Sequence, residues 1–109
     1  MKKIDERELR ELFIELKSNN KIAFEKLYIK YNKLVYGIAF SILKNKEASE
    51  DVVQSVFSKL YEMDKSKMPD NKEASWLYTL TKNEAITFLR KKDNNIDLES
   101  IYNIEDKDN

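Results

Sequence analysis

The stretch Lys21–Leu43, KIAFEKLYIKYNKLVYGIAFSIL, decides the fold class. Phe24, Leu27, Tyr28, Tyr31, Leu34, Val35, Ile38 and Ile42 recur along it at steps of three and four, which gathers them on one side of an α-helix. It is the longest periodic segment in the chain and reads as the spine of a helical bundle. Gly37, the single glycine, lies inside this pattern, so the chain has no glycine-rich loop to cradle a phosphate.

Working outward, three further helices are expected. Before the spine, about Ile4 to Lys17 sets Leu9, Leu12, Phe13 and Leu16 on one stripe, and Ser18-Asn19-Asn20 ends it and offers an N-cap for the next helix. After the spine, Asn45 can cap a helix over about Lys46 to Glu62, whose buried side is Ala48, Val52, Val53, Val56, Phe57 and Leu60. The last helix is SWLYTLTKNEAITFLRKK, Ser75 to Lys92. Leu77, Leu80, Ala85, Phe88 and Leu89 form its packing side. There is no strand-like alternation of useful length and no internal repeat. The expected fold is all-α, a compact bundle of about four helices over residues 1–92, followed by an acidic linker or disordered tail over 93–109.

Composition narrows the function. A chain of 109 residues with 41% hydrophobic residues suits one domain with one modest core. No segment approaches the roughly 20 apolar residues of a membrane span. The charged start MKKIDERELRELF lacks the apolar core of a secretory signal, so a cytoplasmic location is expected. Without cysteine there are no disulfides or thiolate metal sites, and without histidine the commonest general base and metal ligand is missing. Neither an enzyme nor a bound metal or cofactor is expected. The neutral total hides a split: residues 93–109 carry six acidic groups against Lys107, a balance of −5, which leaves +5 on residues 1–92. A basic folded part favours a polyanionic partner.

Two helix faces and one loop carry the functional signal. On the last helix Trp76, Thr79, Asn83, Thr87 and Arg90 share a side that runs into Lys91 and Lys92. Aromatics stack on bases, amides read base edges and cations neutralise phosphates. The same residues also suit a core-rim tryptophan and a cationic helix C-terminus. On the third helix Glu47, Glu50, Asp51 and Gln54 gather opposite the apolar side. They either complement the helix dipole or form a docking face for a basic helical partner. Between these helices MDKSKMPDNKEA, residues 63–74, holds the only proline and three lysines, and reads as a long loop.

The order FEKLYIKYNKLVYGIA, then ASEDVVQSVFSKLY, then a loop, then SWLYTLTKNEAITFLRKK resembles region 2 of bacterial RNA polymerase sigma factors. Within the sigma-70 superfamily it is most similar to the extracytoplasmic-function (ECF) group, and the likeness spans about residues 4–92. It implies a module of transcription initiation that recognises and melts the promoter minus-ten element. The polar face of the EDVVQ helix, here Glu47, Glu50, Asp51 and Gln54, would dock on the clamp coiled coil of the beta-prime subunit of core RNA polymerase. The WLY helix and the loop before it would bind promoter DNA, mainly the non-template single strand. The matching residues are Lys65, Lys67 and Met68 in the loop, Trp76, Thr79 and Asn83 on the helix, and Arg90, Lys91 and Lys92 along the backbone.

An anti-sigma factor is a further partner that the resemblance allows, and a sigma-like interaction or regulatory module without promoter recognition is the alternative. The chain departs from the pattern at Ser49 and Ser55, which replace the frequent Ala and Glu around EDVVQ, and in two larger respects. Met63, Met68 and Ala74-Ser75 stand where many relatives have an aromatic, so either Met68 walls an apolar pocket or base capture is weaker. Region 4, the helix-turn-helix domain that normally follows, has no counterpart after Lys92, and a truncated chain or a natural region 2 protein is expected.

Overall fold

The computed structural model describes residues 5–96, with side chains as far as Lys91. Four α-helices follow one another: α1 Glu6–Lys17, α2 Lys21–Leu43, α3 Lys46–Glu62 and α4 Glu73–Ile96, with a 3-10 turn at Lys65–Lys67 between the last two. No strand occurs among the described residues. The acidic segment from 97 onward, Ile4, and the side chain of Lys92 lie outside the described residues.

The helices start where the sequence offers caps. The Asp5 carboxylate accepts from the amides of Arg7 and Glu8 at 3.1 and 3.2 Å. Asn20 accepts from Ile22 and Ala23 at 2.9 and 3.2 Å, and Asn45 from Ala48 at 2.8 Å. Each satisfies amides that have no partner within the first turn. Lys44 ends α2 in the left-handed region, φ 53°, with its N–H donating to the Phe40 carbonyl. α2 is the spine, packing against α1, α3 and α4.

The core lies where these helices meet. Leu9, Phe13, Leu27, Val35, Val52, Val56, Leu60 and Leu77 are all fully buried. A side chain of this size contributes about 1.5–3 kcal/mol when withdrawn from water. Edge-to-face aromatic pairs extend the α2–α3 contact, with Phe24 and Tyr28 at 6.3 and 4.9 Å from Phe57. Among the described residues no helix is long and apolar enough to cross a membrane.

Four features differ from the sequence reading. α4 begins at Glu73, ahead of Ser75, and continues past Lys92 to Ile96. Leu89, assigned to the packing side, is 39% exposed, while Thr81 is buried in its place. Burial costs Thr81 little because its hydroxyl donates to the Leu77 carbonyl at 2.9 Å. Tyr28, placed on the apolar stripe of α2, is 36% exposed at the edge of a groove. The connector before α4 is not a free loop, since Met68 is only 4% exposed and belongs to the core.

Candidate functional site

The row of residues along α4 is presented unevenly. Trp76 is half-buried, packed edge-on against Phe13 of α1 with ring centroids 5.7 Å apart and planes at 89°. Beyond it Thr79, Asn83, Arg90 and Lys91 are exposed, and Thr87 is half-buried. Among the described residues no ion pair engages Arg90 or Lys91, although Glu84 on the same helix is held by Lys59 of α3 at 2.6 Å. Polar groups left in water keep their donors and acceptors available to a ligand. The row therefore offers an amide, a hydroxyl and two cations in line with part of an indole.

The connector folds against α1. Lys65 donates to the carbonyls of Tyr61 and Met63 at 2.8 and 3.2 Å, closing the end of α3. The Asp64 carboxylate accepts from the Ser66 hydroxyl and amide at 2.8 and 3.0 Å. Those two hydrogen bonds, helped by Lys67 and Lys65, hold its pKa below the ordinary carboxylate value. Lys67 is exposed, and Met68 turns inward under the turn. Further on, Asp70 pairs with Lys17, whose hydrogen bond and charge lower the pKa of the carboxyl. The Glu73 carboxylate is 1% exposed and receives the Arg10 guanidinium, with Nε at 3.2 and 3.4 Å from its two oxygens.

These α1 contacts were not legible in the sequence. The partners lie 63 residues apart for Arg10 and Glu73 and 53 apart for Lys17 and Asp70, so no local pattern joins them. The one available signal was Glu73 itself, an acid suited to the first turn of a helix. Of the connector residues singled out in the sequence, Lys67 faces water, Lys65 is engaged with backbone carbonyls, and Met68 supports the turn from within.

The acidic face of α3 has a second wall. Glu47, Glu50, Asp51 and Gln54 are all exposed. The last three line a groove of about 620 Å³ together with Tyr28, Asn32 and Tyr36 of α2, while Glu47 sits outside it at the start of α3. Glu50 meets Lys46 of its own helix at 3.4 Å, a surface pair of little energetic weight. Asn32 turns its amide nitrogen back to the Tyr28 and Ile29 carbonyls at 2.7 and 3.2 Å. The groove thus combines the carboxylates of Glu50 and Asp51 with two amides, two phenol rings and the ammonium groups of Lys33 and Lys46, a mixed polar surface of both charge signs. Among the described residues no group of acidic side chains is arranged to hold a metal ion.

The sigma-70 region 2 family profile matches residues 27–95, from the middle of α2 through the connector to the end of α4, and the chain belongs to that family. Its role is accordingly that of a non-catalytic domain of transcription initiation, in a family that binds core RNA polymerase and promoter DNA. No curated protein and no solved structure matches the chain significantly. α1 lies ahead of the matched residues.

Proposed function

We propose that this chain is an extracytoplasmic-function type region 2 that docks on the beta-prime clamp coiled coil of core polymerase and captures the non-template strand of the minus-ten element as it opens. The docking surface is the α2–α3 groove with Glu47, Glu50, Asp51 and Gln54. The DNA surface is the α4 row, with Trp76, Thr79 and Asn83 toward the bases and Arg90, Lys91 and Lys92 along the phosphates. Lys67 adds a cation from the connector, and Lys65 and Met68 shape the turn that carries it. Partnership with polymerase implies action in the cytoplasm.

The observation that carries this reading is the exposed α4 row, in which Thr79, Asn83, Arg90 and Lys91 face water beside a half-buried indole. Unstacking a base costs a few kcal/mol, so strand opening needs a surface that binds the exposed base better than the duplex does. Stacking returns about 1–3 kcal/mol per base, and phosphate contacts add affinity without reading sequence. Binding energy alone drives capture; the polymerase performs the chemistry.

Fluorescence anisotropy of single-stranded minus-ten oligonucleotides with the chain and core polymerase tests the reading. Asn83→Ala should lower affinity mainly for the preferred sequence. Lys91→Ala should weaken all sequences and flatten the salt dependence by roughly 0.7 in the log–log slope. Equal loss across all sequences for Asn83→Ala would remove its reading role.

A further inference from the structure

Three α1 residues at steps of three and four, Arg10, Phe13 and Lys17, each hold one point on the approach to the α4 row. Arg10 holds Glu73, Phe13 holds Trp76 and Lys17 holds Asp70. Glu73 is the first residue of α4, and Trp76 stands one turn along the same helix. The Glu73 carboxylate is withdrawn from water, whereas the Arg10 side chain is half exposed. A desolvated carboxylate is tolerated only with its counter-charge in place. Loss of Arg10 therefore acts on Glu73, which must turn outward or draw in water and move the first turn of α4 with it. The family match begins within α2 and leaves this helix out.

We infer that α1 sets the sequence selectivity of the promoter-reading face without touching DNA, with Arg10 and Glu73 as positioning residues for Trp76 and the Met68 turn. This rests on the function proposed above and adds its geometric control. A reading surface discriminates between bases only when its groups are held in place before the strand arrives, because ordering them on binding consumes the difference between right and wrong sequences. The local hydrogen bonds of Asp64 and Lys65 close the turn and the buried Met68 anchors it in the core, while none of those hydrogen bonds reaches the first turn of α4. The Arg10–Glu73 pair, with its buried carboxylate, does reach that turn, and the exposed Lys17–Asp70 pair adds a weaker strap. Arg10 shares its single Nε–H between the two oxygens of the buried Glu73 carboxylate, which ties the guanidinium to the first residue of α4.

The experiment uses the full chain bound to core polymerase. A randomised single-strand library first identifies the preferred sequence, and anisotropy then gives the affinity ratio between preferred and scrambled strands. Arg10→Ala should lower that ratio about tenfold while polymerase capture stays within about twofold, and Arg10→Lys should recover part of it. Asp70→Asn, an exposed change that leaves the core untouched, should lower the ratio in the same direction by a smaller factor, and it serves if Arg10→Ala fails to fold. An unchanged ratio in the folded variants, with wild-type selectivity intact, would overturn the role of α1 alone. Equal weakening on every strand together with lost polymerase capture would reduce Arg10 to general stability and also overturn it. A wild-type complex with no selectivity would overturn the proposed function, and this inference with it.

Discussion

At the seam between α1 and the start of α4, Arg10 and Lys17 are engaged by Glu73 and Asp70, and a phenyl ring backs the indole of Trp76. Across the α2–α3 groove Glu50 meets only Lys46 of its own helix, and Asp51 and Gln54 stand in water with no ion pair among the described residues. Charged side chains are thus put to opposite uses in two parts of one small bundle. At the seam the Glu73 carboxylate fixes geometry, because a buried carboxylate needs its counter-charge in place, while the exposed Asp70 adds a weaker strap. In the groove they remain available, because an exposed carboxylate can be desolvated by an incoming partner. Substitutions should accordingly register as stability or geometry at the seam and as partner affinity in the groove.

The largest effect that separates the two regions is expected from Phe13→Ala. Removing this fully buried ring and its contact with Trp76 should cost about 3–5 kcal/mol of unfolding free energy, measured by urea denaturation. Next comes Asp51→Lys, which should reduce capture of core polymerase at least about tenfold while the unfolding free energy changes by under about 0.5 kcal/mol, the usual range for a surface change. A groove variant that unfolded the chain, or a Phe13 variant that did not, would erase the distinction.

A smaller effect is expected at high pH, from Tyr31, which is buried on α2 near the acidic start of α1. Burial, followed by the charges of Glu8, Asp5 and Glu6, pushes its pKa up to about 12. The unfolded chain releases that proton near pH 10, so the contribution is complete below this value and is lost as pH rises through about 12. Tyr31→Phe should flatten the alkaline decline over that window in a series of thermal melts. The smallest effect lies at acid pH. The pKa of Asp70 is lowered by Lys17, so this strap is present above the ordinary carboxylate range and disappears as pH falls through the depressed value. Protection of the connector amides relative to their intrinsic exchange rates should fall there without global unfolding, and Asp70→Asn should show that lower protection already at neutral pH.

The helices were legible because their apolar residues keep the helical period and because Asn20 and Asn45 are strong caps standing where periodicity lapses. The buried side of α1 was correct residue for residue, and that of α3 was correct except for Ser49, a fully buried hydroxyl that donates to the Asn45 carbonyl at 2.6 Å. Period counting failed at Thr81 and Leu89, since it cannot see that a hydroxyl donating within its own helix is cheap to bury. It failed again in the connector, where the burial of Met68 and Glu73 depends on an α1 helix more than 50 residues away. For the groove, the acidic wall on α3 could be read from charge. The α2 wall could not, because Tyr28 reads as a residue of the apolar stripe until the crossing of two helices leaves it at a rim.

The most direct test of the separation between a docking groove and a reading face is one titration. A labelled single strand of the preferred minus-ten sequence is titrated with core polymerase plus the wild-type chain, Asp51→Lys or Asn83→Ala, and polymerase co-capture is recorded in the same samples. The account predicts that Asp51→Lys loses polymerase together with the polymerase-dependent part of strand binding, whereas Asn83→Ala keeps polymerase and loses preference for the strand. Loss of polymerase by Asn83→Ala, or full strand and polymerase binding by Asp51→Lys, would contradict it.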